Sequence, residues 1–430
     1  MSSHSNTSKH HKQQPQISFW VSKRPYLIWF AAMIFYCYQY LIRVSPGIMA
    51  DDIRYHFSIK AEEFASLGSI YLTCYGLMQI PVGVLIGKVG VRIIAMISII
   101  ACIIGSFLTA YAESFLMMQF ARALIGCGSS TAFMTSLKTI SDNFTPGNRA
   151  VLIGMTLTMG SIGAIISGYI IPWLLQYFAW QYLWKLAGIL GFIILVINMT
   201  LMPKQRIKVF GNVAQPKKKS ILLELLEIIQ DRNLILYSVM AIGLYAPLSV
   251  IADLWGMSFM STKFNLELNK AVQATTMIYI GLAIGSVVIP WIFERHGKLN
   301  NGITWSAFLI LIPLSFIIYG PHNPPFPIAI PLIILGILCG SEILCYTAAL
   351  HYAGHNNSGN IIGVMNTLIL LGNAVLQQIV GHLLDVNWNG IIDIHGVRVY
   401  SMQDFVSSFS VVTVFVLTCW LISLAMDRRI

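Results

Sequence analysis

The ten residues from Gly83 to Arg92, GVLIGKVGVR, separate two long apolar stretches. Glycine gives a tight turn its backbone freedom, and cations such as Lys88 and Arg92 stay outside a lipid bilayer. A weaker copy, PWIFERHGK, begins at Pro290, about 207 residues downstream, again between apolar stretches. Two basic turns in equivalent places predict that the chain consists of two halves of one design.

The composition is that of a membrane protein. Of the 430 residues, 56% are hydrophobic and only 10% are charged, whereas about a quarter of a soluble chain is charged. The net charge of +10 does not indicate nucleic-acid binding, because the cytoplasmic loops of any polytopic protein collect lysine and arginine. The 7 cysteines lie in apolar stretches without metal-ligand spacing, so we expect no metal and no cofactor.

Stretches of about 20 apolar residues, each able to cross a bilayer as a helix, recur along the chain. We predict an all-α polytopic membrane protein with twelve transmembrane helices in two pseudo-symmetric six-helix halves, at residues 26–48, 64–87, 92–112, 115–137, 151–175, 182–202, 234–255, 271–293, 302–319, 327–350, 361–384 and 405–426. The predicted domains are a disordered cytoplasmic tail (1–22), an N-terminal half (23–202), a cytoplasmic linker with an amphipathic helix (203–233) and a C-terminal half (234–430).

Lysine and arginine are distributed unevenly between the two predicted sides. With the N-terminus inside, the outer loops keep only Arg54, Lys60, Lys263, Lys270 and Arg398. This bias predicts that both termini are cytoplasmic. We expect a monomer in the lipid bilayer of the cytoplasmic (inner) membrane.

Glycine spacing repeats between the halves. Gly154 and Gly163 in the fifth predicted helix are nine positions apart, as are Gly363 and Gly372 in the eleventh. Parallel halves related by an axis along the membrane normal are typical of transporters.

These features resemble the major facilitator superfamily over nearly the full chain. The family's loop between the second and third helices is matched by Gly83, Lys88, Gly90 and Arg92, but Gly87 stands where the family has an aspartate. The second copy has the acid and is matched by Glu294, Arg295, Gly297 and Lys298. The resemblance implies that this motif controls conformation.

The fourth helix contains RALIGCG from Arg122, similar to the family's Arg-x-x-x-Gly-x-Gly motif. The resemblance implies that Arg122 couples proton movement to transport or positions its helix; a structural ion pair is the alternative. Residues 40–46 (YLIRVSP) resemble bacterial importers of amino acids and small peptides. The Gly-Pro pair of drug/proton antiporters is absent, since Ser161 follows Gly160.

Insertion of a charged residue at the centre of a membrane-spanning helix costs about 2.5–3.5 kcal/mol, so each such residue needs a reason. Arg43 shares a helical face with Tyr36 and Tyr40 and can bind a substrate carboxylate bidentately or extend to the outer interface. Asp253 can pair with Arg43 or receive a substrate ammonium.

Glu342, near the middle of the tenth helix, is our candidate proton carrier, because a carboxylate in a low-dielectric site can exchange a proton near neutral pH. A packing role is its alternative. Lys185 either adds a cation to the site or extends to the interface.

Uncharged polar residues recur at helical spacing. We expect them to line a central cavity, although such side chains also join membrane helices. They are Tyr71, Tyr75 and Gln79 in the second helix, Asn366, Asn373 and Gln377 in the eleventh, and Thr276 and Tyr279 in the eighth.

The leading hypothesis is a secondary active transporter that works by alternating access, coupled to protons, on a small polar metabolite. Arg43 with Asp253 and Glu342 suits a zwitterion such as an amino acid or short peptide. An organic-anion or sugar-phosphate exchanger is the alternative, and would show a pair of inward cations. A membrane enzyme or a non-transporting sensor is the alternative of another class.

Overall fold

The computed structural model describes residues 19–203, 227–353, 358–394 and 396–426, which are almost entirely helical. A single β-bridge, between Ile392 and Arg398, is the exception within these ranges. Most of the predicted tail and most of the linker with its amphipathic helix lie outside the described residues. The first helix already begins at Phe19, inside the predicted tail.

A helix or helix pair forms at each predicted position, numbered here as spans 1 to 12. The N-terminal half comprises Phe19–Ile48, Ala61–Val89, Val91–Ala110, the pair Phe115–Ser129 and Thr131–Asn143, Pro146–Leu175, and Trp180–Leu201, with a short helix Ala50–Phe57 between spans 1 and 2. The C-terminal half comprises the series Arg232–Pro247, Leu248–Trp255 and Gly256–Phe264, then Leu268–Arg295, Leu299–Tyr319, the pair Ala329–Cys339 and Glu342–Ala353, Ser358–Asn387, and Met402–Ser423.

Within the described residues, 11 helical stretches are long and apolar enough to cross a membrane. The predicted all-α polytopic fold is confirmed. Span 4 is the one not among the 11; it is divided into helices of 15 and 13 residues. At 1.5 Å per residue the two helices placed end to end still exceed the roughly 30 Å hydrocarbon core.

Spans 4 and 10 are interrupted at equivalent places. In span 4 the hydroxyl of Ser130 donates to the carbonyl of Cys127 at 2.7 Å, and in span 10 Ser341 donates to Leu338 at 2.6 Å. A serine that bonds back to its own helix competes with the backbone ladder and bends the helix. The centre of span 7 is instead a π-helix, Leu248–Trp255.

The glycine repeat has the same structural meaning in both halves. A Cβ at Gly163 would lie 2.1 Å from the carbonyl oxygen of Cys37 on span 1, and a Cβ at Gly372 would lie 2.5 Å from Cδ1 of Ile242 on span 7. Gly154 and Gly363 face open space. In each half the second glycine therefore lets the fifth helix of that half approach its first helix.

The two halves meet tightly at one end of the molecule, called here the closed end. A Cβ at Gly47 would lie 2.6 Å from the carbonyl oxygen of Asp253. At the opposite end, the open end, a cavity of about 760 Å³ separates spans 2, 4, 5 and 11 and is lined by residues that include Gly83, Arg149 and Gly363. The basic turn lies at the open end.

Polar contacts between the halves fasten the closed end. Asp385 Oδ2 accepts from the backbone N–H of Glu62 at the start of span 2 (2.8 Å), across the two halves. Asp385 Oδ1 accepts from Tyr400 (2.5 Å) and Arg398 (3.0 Å) of its own half. His382 lies 2.9 Å from the Glu62 carboxylate. Burial, with the carboxylate of Asp385 alongside, raises the pKa of the Tyr400 hydroxyl, so it remains a proton donor at physiological pH.

Candidate substrate site

Arg43 of span 1 is paired across the two halves with Asp253 of span 7. Its Nη2 lies 2.5 Å from Asp253 Oδ2, and its Nε lies 3.1 Å from the same oxygen. Both side chains are 5% exposed. A pair so far from water is screened little by salt, and either charge left alone would be costly.

Tyrosines complete the hydrogen bonding of this pair. Arg43 Nη2 donates to the hydroxyl of Tyr245 at 2.5 Å, and Tyr279 donates to Asp253 Oδ1. The ring centre of Tyr40 lies 5.4 Å from the guanidinium carbon, within the range of a cation–π interaction. The predicted neighbours of Arg43 are thus present, whereas Tyr245 was not predicted as one.

Arg122 lies directly behind Arg43. Its guanidinium donates to the backbone carbonyls of Leu67 (3.3 Å), Ile42 (3.0 Å) and Arg43 (3.3 Å), and it lies 4.6 Å from the ring centre of Tyr71. Among the described residues it has no carboxylate within 4 Å, so the structural ion pair considered as its alternative role does not form in this structure. Its charge is therefore held by carbonyl dipoles and an aromatic face.

Glu342 is the first residue of the second helix of span 10, directly after the interruption at Ser341. It is half-buried and close enough to Arg43 for electrostatic interaction. One turn further on, Tyr346 donates to Asn366 Oδ1 at 3.0 Å. The predicted proton carrier thus lies in the same interior region as the arginines.

The predicted stripe of span 2 leads from the arginines towards the open end. The rings of Tyr71 and Tyr75 lie 6.0 Å apart, and Gln79 Nε2 donates to the carbonyl of Ser130 at 3.2 Å. Gln79 lines the open cavity. Tyr36 lies beside Tyr40, with the two ring centres 5.2 Å apart.

Other predicted lining residues bond to helix backbones. Asn373 Nδ2 donates to Ile369 in its own helix (2.9 Å), and Thr276 donates to Val272 (2.7 Å). Gln377 Nε2 reaches Ser249 of span 7 at 2.8 Å. For Gln377, the role of joining helices describes the structure better than the role of lining a cavity.

Lys185 lies away from the paired arginine. Its Nζ is 4.6 Å from the ring centre of Tyr111 and 4.7 Å from that of Tyr182. Both tyrosines are exposed on the outside of the helix bundle. The structure therefore does not bring Lys185 to the site, because its ammonium group lies beside the outer surface of the bundle.

The two basic turns have the backbone that their glycines predict. Gly90 and Gly297 have φ of +94° and +60°, in the region that favours glycine. Gly87 faces open space, with nothing within 4 Å of an added Cβ.

The other motif residues contact neighbouring helices. Glu294 accepts from the hydroxyl of Thr347 in span 10 at 3.0 Å, and Arg92 donates to the carbonyl of Met199 in span 6 at 2.6 Å. Arg295 lies 5.8 Å from the ring centre of Trp291, whereas Lys88 is exposed.

Sequence reasoning missed Gln39, one turn before Arg43. Its side chain is fully buried, and Nε2 lies 2.5 Å from the hydroxyl of Tyr71. The i, i+4 relation to Arg43 was a usable signal, because those positions share a helix face.

Comparison with known sequences decides the family. The sequence model described as Major Facilitator Superfamily matches residues 28–376. The chain belongs to the major facilitator superfamily. The predicted resemblance to the superfamily is confirmed, whereas the finer resemblance to importers of amino acids and small peptides is not. The protein is a multi-pass transporter and not an enzyme.

Three curated relatives are named as transporters of organic acids. The hexuronate transporter of Bacillus subtilis is 22% identical over 366 residues, which cover 81% of this chain and 85% of the relative. The gentisate transporter of Corynebacterium glutamicum is 22% identical over 356 residues (80% and 77%). The D-galactonate transporter of Escherichia coli O6:H1 is 23% identical over 171 residues (40% and 40%).

Solved structures of the superfamily have the same fold. A bacterial homologue of the human lysosomal transporter Spinster, crystallised inward-facing and unoccupied, aligns with a TM-score of 0.72 and 14% identity over 93% of this chain and 97% of its own. The nucleoside transporter NupG aligns with a TM-score of 0.69 and 12% identity over 94% and 98%.

Proposed function

We propose that this transporter carries a small organic acid, with a hydroxylated sugar acid as the first candidate. The single observation that carries this proposal is the adjacency of Arg43 and Arg122, of which only Arg43 has a carboxylate partner within 4 Å among the described residues. The immediate neighbourhood therefore holds two guanidinium groups for one bound carboxylate. This local excess of positive charge attracts a substrate carboxylate.

The names of the relatives support the same class. Hexuronates, galactonate and gentisate all carry a carboxylate, and none is a zwitterion. The organic-anion alternative is therefore favoured over an amino acid or peptide.

The geometry suggests how binding is linked to movement. A substrate carboxylate that reaches Arg43 competes with Asp253 for the Nε and Nη2 groups of its guanidinium. These two groups can bind both oxygens of a carboxylate. Asp253 released from Arg43 keeps Tyr279 but loses its charge partner, and a buried carboxylate without a cation takes up a proton. Substrate binding would thereby load a proton, with Glu342 as the second carrier, and the transporter would be a proton symporter.

The lysine and arginine bias supports placement of the open end in the cytoplasm of a bacterial inner membrane. In that orientation the tail (1–22) and the linker (203–233), which divides the two halves, are cytoplasmic. The described conformation is then inward-open.

Uptake by proteoliposomes tests the proposal. Purified protein in proteoliposomes would be offered radiolabelled galacturonate, gentisate and a panel of amino acids and dipeptides. Uptake would be measured with and without a pH gradient in which the outside is more acidic than the lumen. We expect saturable, gradient-stimulated uptake of a carboxylate. Uptake of zwitterions with none of the acids would refute it.

A variant pair tests the site. Arg43→Lys removes the bidentate fork and keeps the charge, so acid uptake should fall at least tenfold. Lys185→Gln, which removes a cation outside the site, should retain uptake. Equal retention in both variants would exclude Arg43 as the binding group.

A further inference from the structure

Gln39 stands one helical turn from Arg43, on the same face of span 1. Four residues at 1.5 Å per residue separate the two positions by about 6 Å along the helix. A sugar acid whose carboxylate engages Arg43 would bring its hydroxyl groups to this depth.

The amide of Gln39 is only half satisfied. Nε2 lies 2.5 Å from the hydroxyl of Tyr71, whereas Oε1 has no hydrogen-bond partner among the described residues, and the side chain is 0% exposed. A buried polar atom without a partner costs about 1–3 kcal/mol, so its presence beside a candidate site calls for an explanation.

In the described orientation the hydroxyl of Tyr71 accepts from Gln39 Nε2, and Oε1 is the amide atom without a partner. A substrate hydroxyl can donate a hydrogen bond to this oxygen. A substrate carboxylate cannot, because it is only an acceptor.

Tyr71 connects Gln39 to the second arginine. The hydroxyl of Tyr71 bonds Gln39, and its ring centre lies 4.6 Å from the guanidinium carbon of Arg122. Nη2 of Arg122 in turn donates to the backbone carbonyl of Arg43. Gln39 is therefore held at a fixed position relative to both cations.

We infer that Gln39 is a specificity-determining residue that binds a hydroxyl group of the substrate, and so selects hydroxylated acids over acids of the same shape without hydroxyls. This inference rests on the proposed function and adds a role for a residue outside the arginine pair.

The test compares two ligands in two matched variants. Inhibition constants would be measured for galacturonate and for tetrahydropyran-2-carboxylate, the same ring without its hydroxyls, against uptake of labelled galacturonate. Gln39→Met keeps the length of the side chain and removes both polar atoms. The selectivity ratio is the constant for tetrahydropyran-2-carboxylate divided by the constant for galacturonate. We expect Gln39→Met to lower this ratio about five- to tenfold, as one lost hydrogen bond implies.

Asn198→Leu is the control. Asn198 is equally buried, its Oδ1 also lacks a partner among the described residues, and its Nδ2 donates to Ala31 of span 1 (3.2 Å), but it lies in span 6 away from the arginines. Its ratio should equal that of the wild type. If Gln39→Met does not fold, Gln39→Asn, which withdraws the amide by one methylene, should lower the ratio in the same direction.

The possible outcomes separate the two claims. Galacturonate transport with an unchanged ratio in the Gln39 variants, or an equal loss of affinity for both ligands, overturns the role of Gln39 and leaves the proposed function standing. Absence of any carboxylate transport by the wild type overturns the proposed function and this inference together.

Discussion

Arg43 and Arg122 are neighbours with different electrostatic partners. Arg43 faces a carboxylate of the other half, whereas Arg122 is satisfied by three backbone carbonyls. Removal of Asp253 from Arg43 thus affects the contact between the halves, whereas Arg122 fixes span 1 within its own half. One guanidinium is suited to switching and the other to positioning.

Glu342 provides a prediction at this scale. Glu342→Gln keeps the shape and polarity of the side chain but cannot exchange a proton. We expect pH-driven accumulation to be abolished while substrate exchange across the membrane continues. Counterflow and gradient-driven uptake measured on the same proteoliposomes separate the two activities.

Glu113→Gln is the control for this experiment, because Glu113 is exposed in the connection between spans 3 and 4. Accumulation should be normal in that variant. Undiminished accumulation by Glu342→Gln would rule out Glu342 as the proton carrier.

At the scale of the helices, span 5 contains a test of close packing. A Cβ at Gly163 would lie 2.1 Å from a backbone oxygen that cannot move independently, so Gly163→Ala should cost about 1–3 kcal/mol. Gly154→Ala, in the same helix but facing open space, should be neutral or stabilise by up to about 1 kcal/mol. Thermal unfolding in detergent compares them, and equal midpoints would contradict the described packing.

The start of span 2 is stabilised by Asp385 from the opposite half. Asp385→Ala removes the charge-assisted hydrogen bond to the Glu62 N–H, which crosses between the halves and is worth about 1.5–3 kcal/mol, and this should shift the equilibrium roughly ten- to a hundredfold towards opening of the closed end. Hydrogen exchange of the segments around Gly47 and Leu254, which do not contact Asp385 in the described bonds, would report the opening.

Glu63→Ala is the matched control for Asp385. Glu63 accepts from the backbone N–H of Lys60 at 2.9 Å, so it stabilises the same helix end from within the same half. Exchange around Gly47 should not change in this variant. If both variants raise exchange equally, Asp385 acts through the helix end and not through the contact between the halves.

At the scale of the whole molecule, the first basic turn lacks the acid that the second one has. Glu294 joins span 8 to span 10 through Thr347, but Gly87 at the corresponding place faces open space. Gly87→Asp should add a contact that forms only when the open end closes, which would slow exchange by biasing the resting state. Gly83→Asp places the same charge one turn away and should have a smaller effect. Equal rates of substrate exchange in the two variants would show that an acid at position 87 of the motif does not control conformation.

The sequence predicts the architecture well because helix length, charge bias and the repeated glycines are local signals. It offers a pair between Arg43 and Asp253 as one of two alternatives, since each is a charge that apolar surroundings do not tolerate alone. Gln39 and Tyr245 escaped prediction because neutral polar residues occur in membrane helices for packing as well as for binding. Their roles depend on which helix lies opposite, and a single sequence does not contain that information.

The substrate class was the weakest prediction, for a related reason. Two acids and a cation suggested a zwitterion, but the structure commits Asp253 to Arg43 and leaves Arg122 without a carboxylate partner among the described residues. The pairs that form decide which charges remain for a ligand, and a single sequence does not show those pairs.

The paired glycines have a mechanical consequence. In the N-terminal half Gly163 abuts backbone, whereas in the C-terminal half Gly372 abuts the end of an isoleucine side chain that can change rotamer. The contact between spans 5 and 1 is therefore stiff and the contact between spans 11 and 7 is compliant, although both come from one duplicated pattern. Strain that develops as the two halves rock should therefore be absorbed mainly by the C-terminal half.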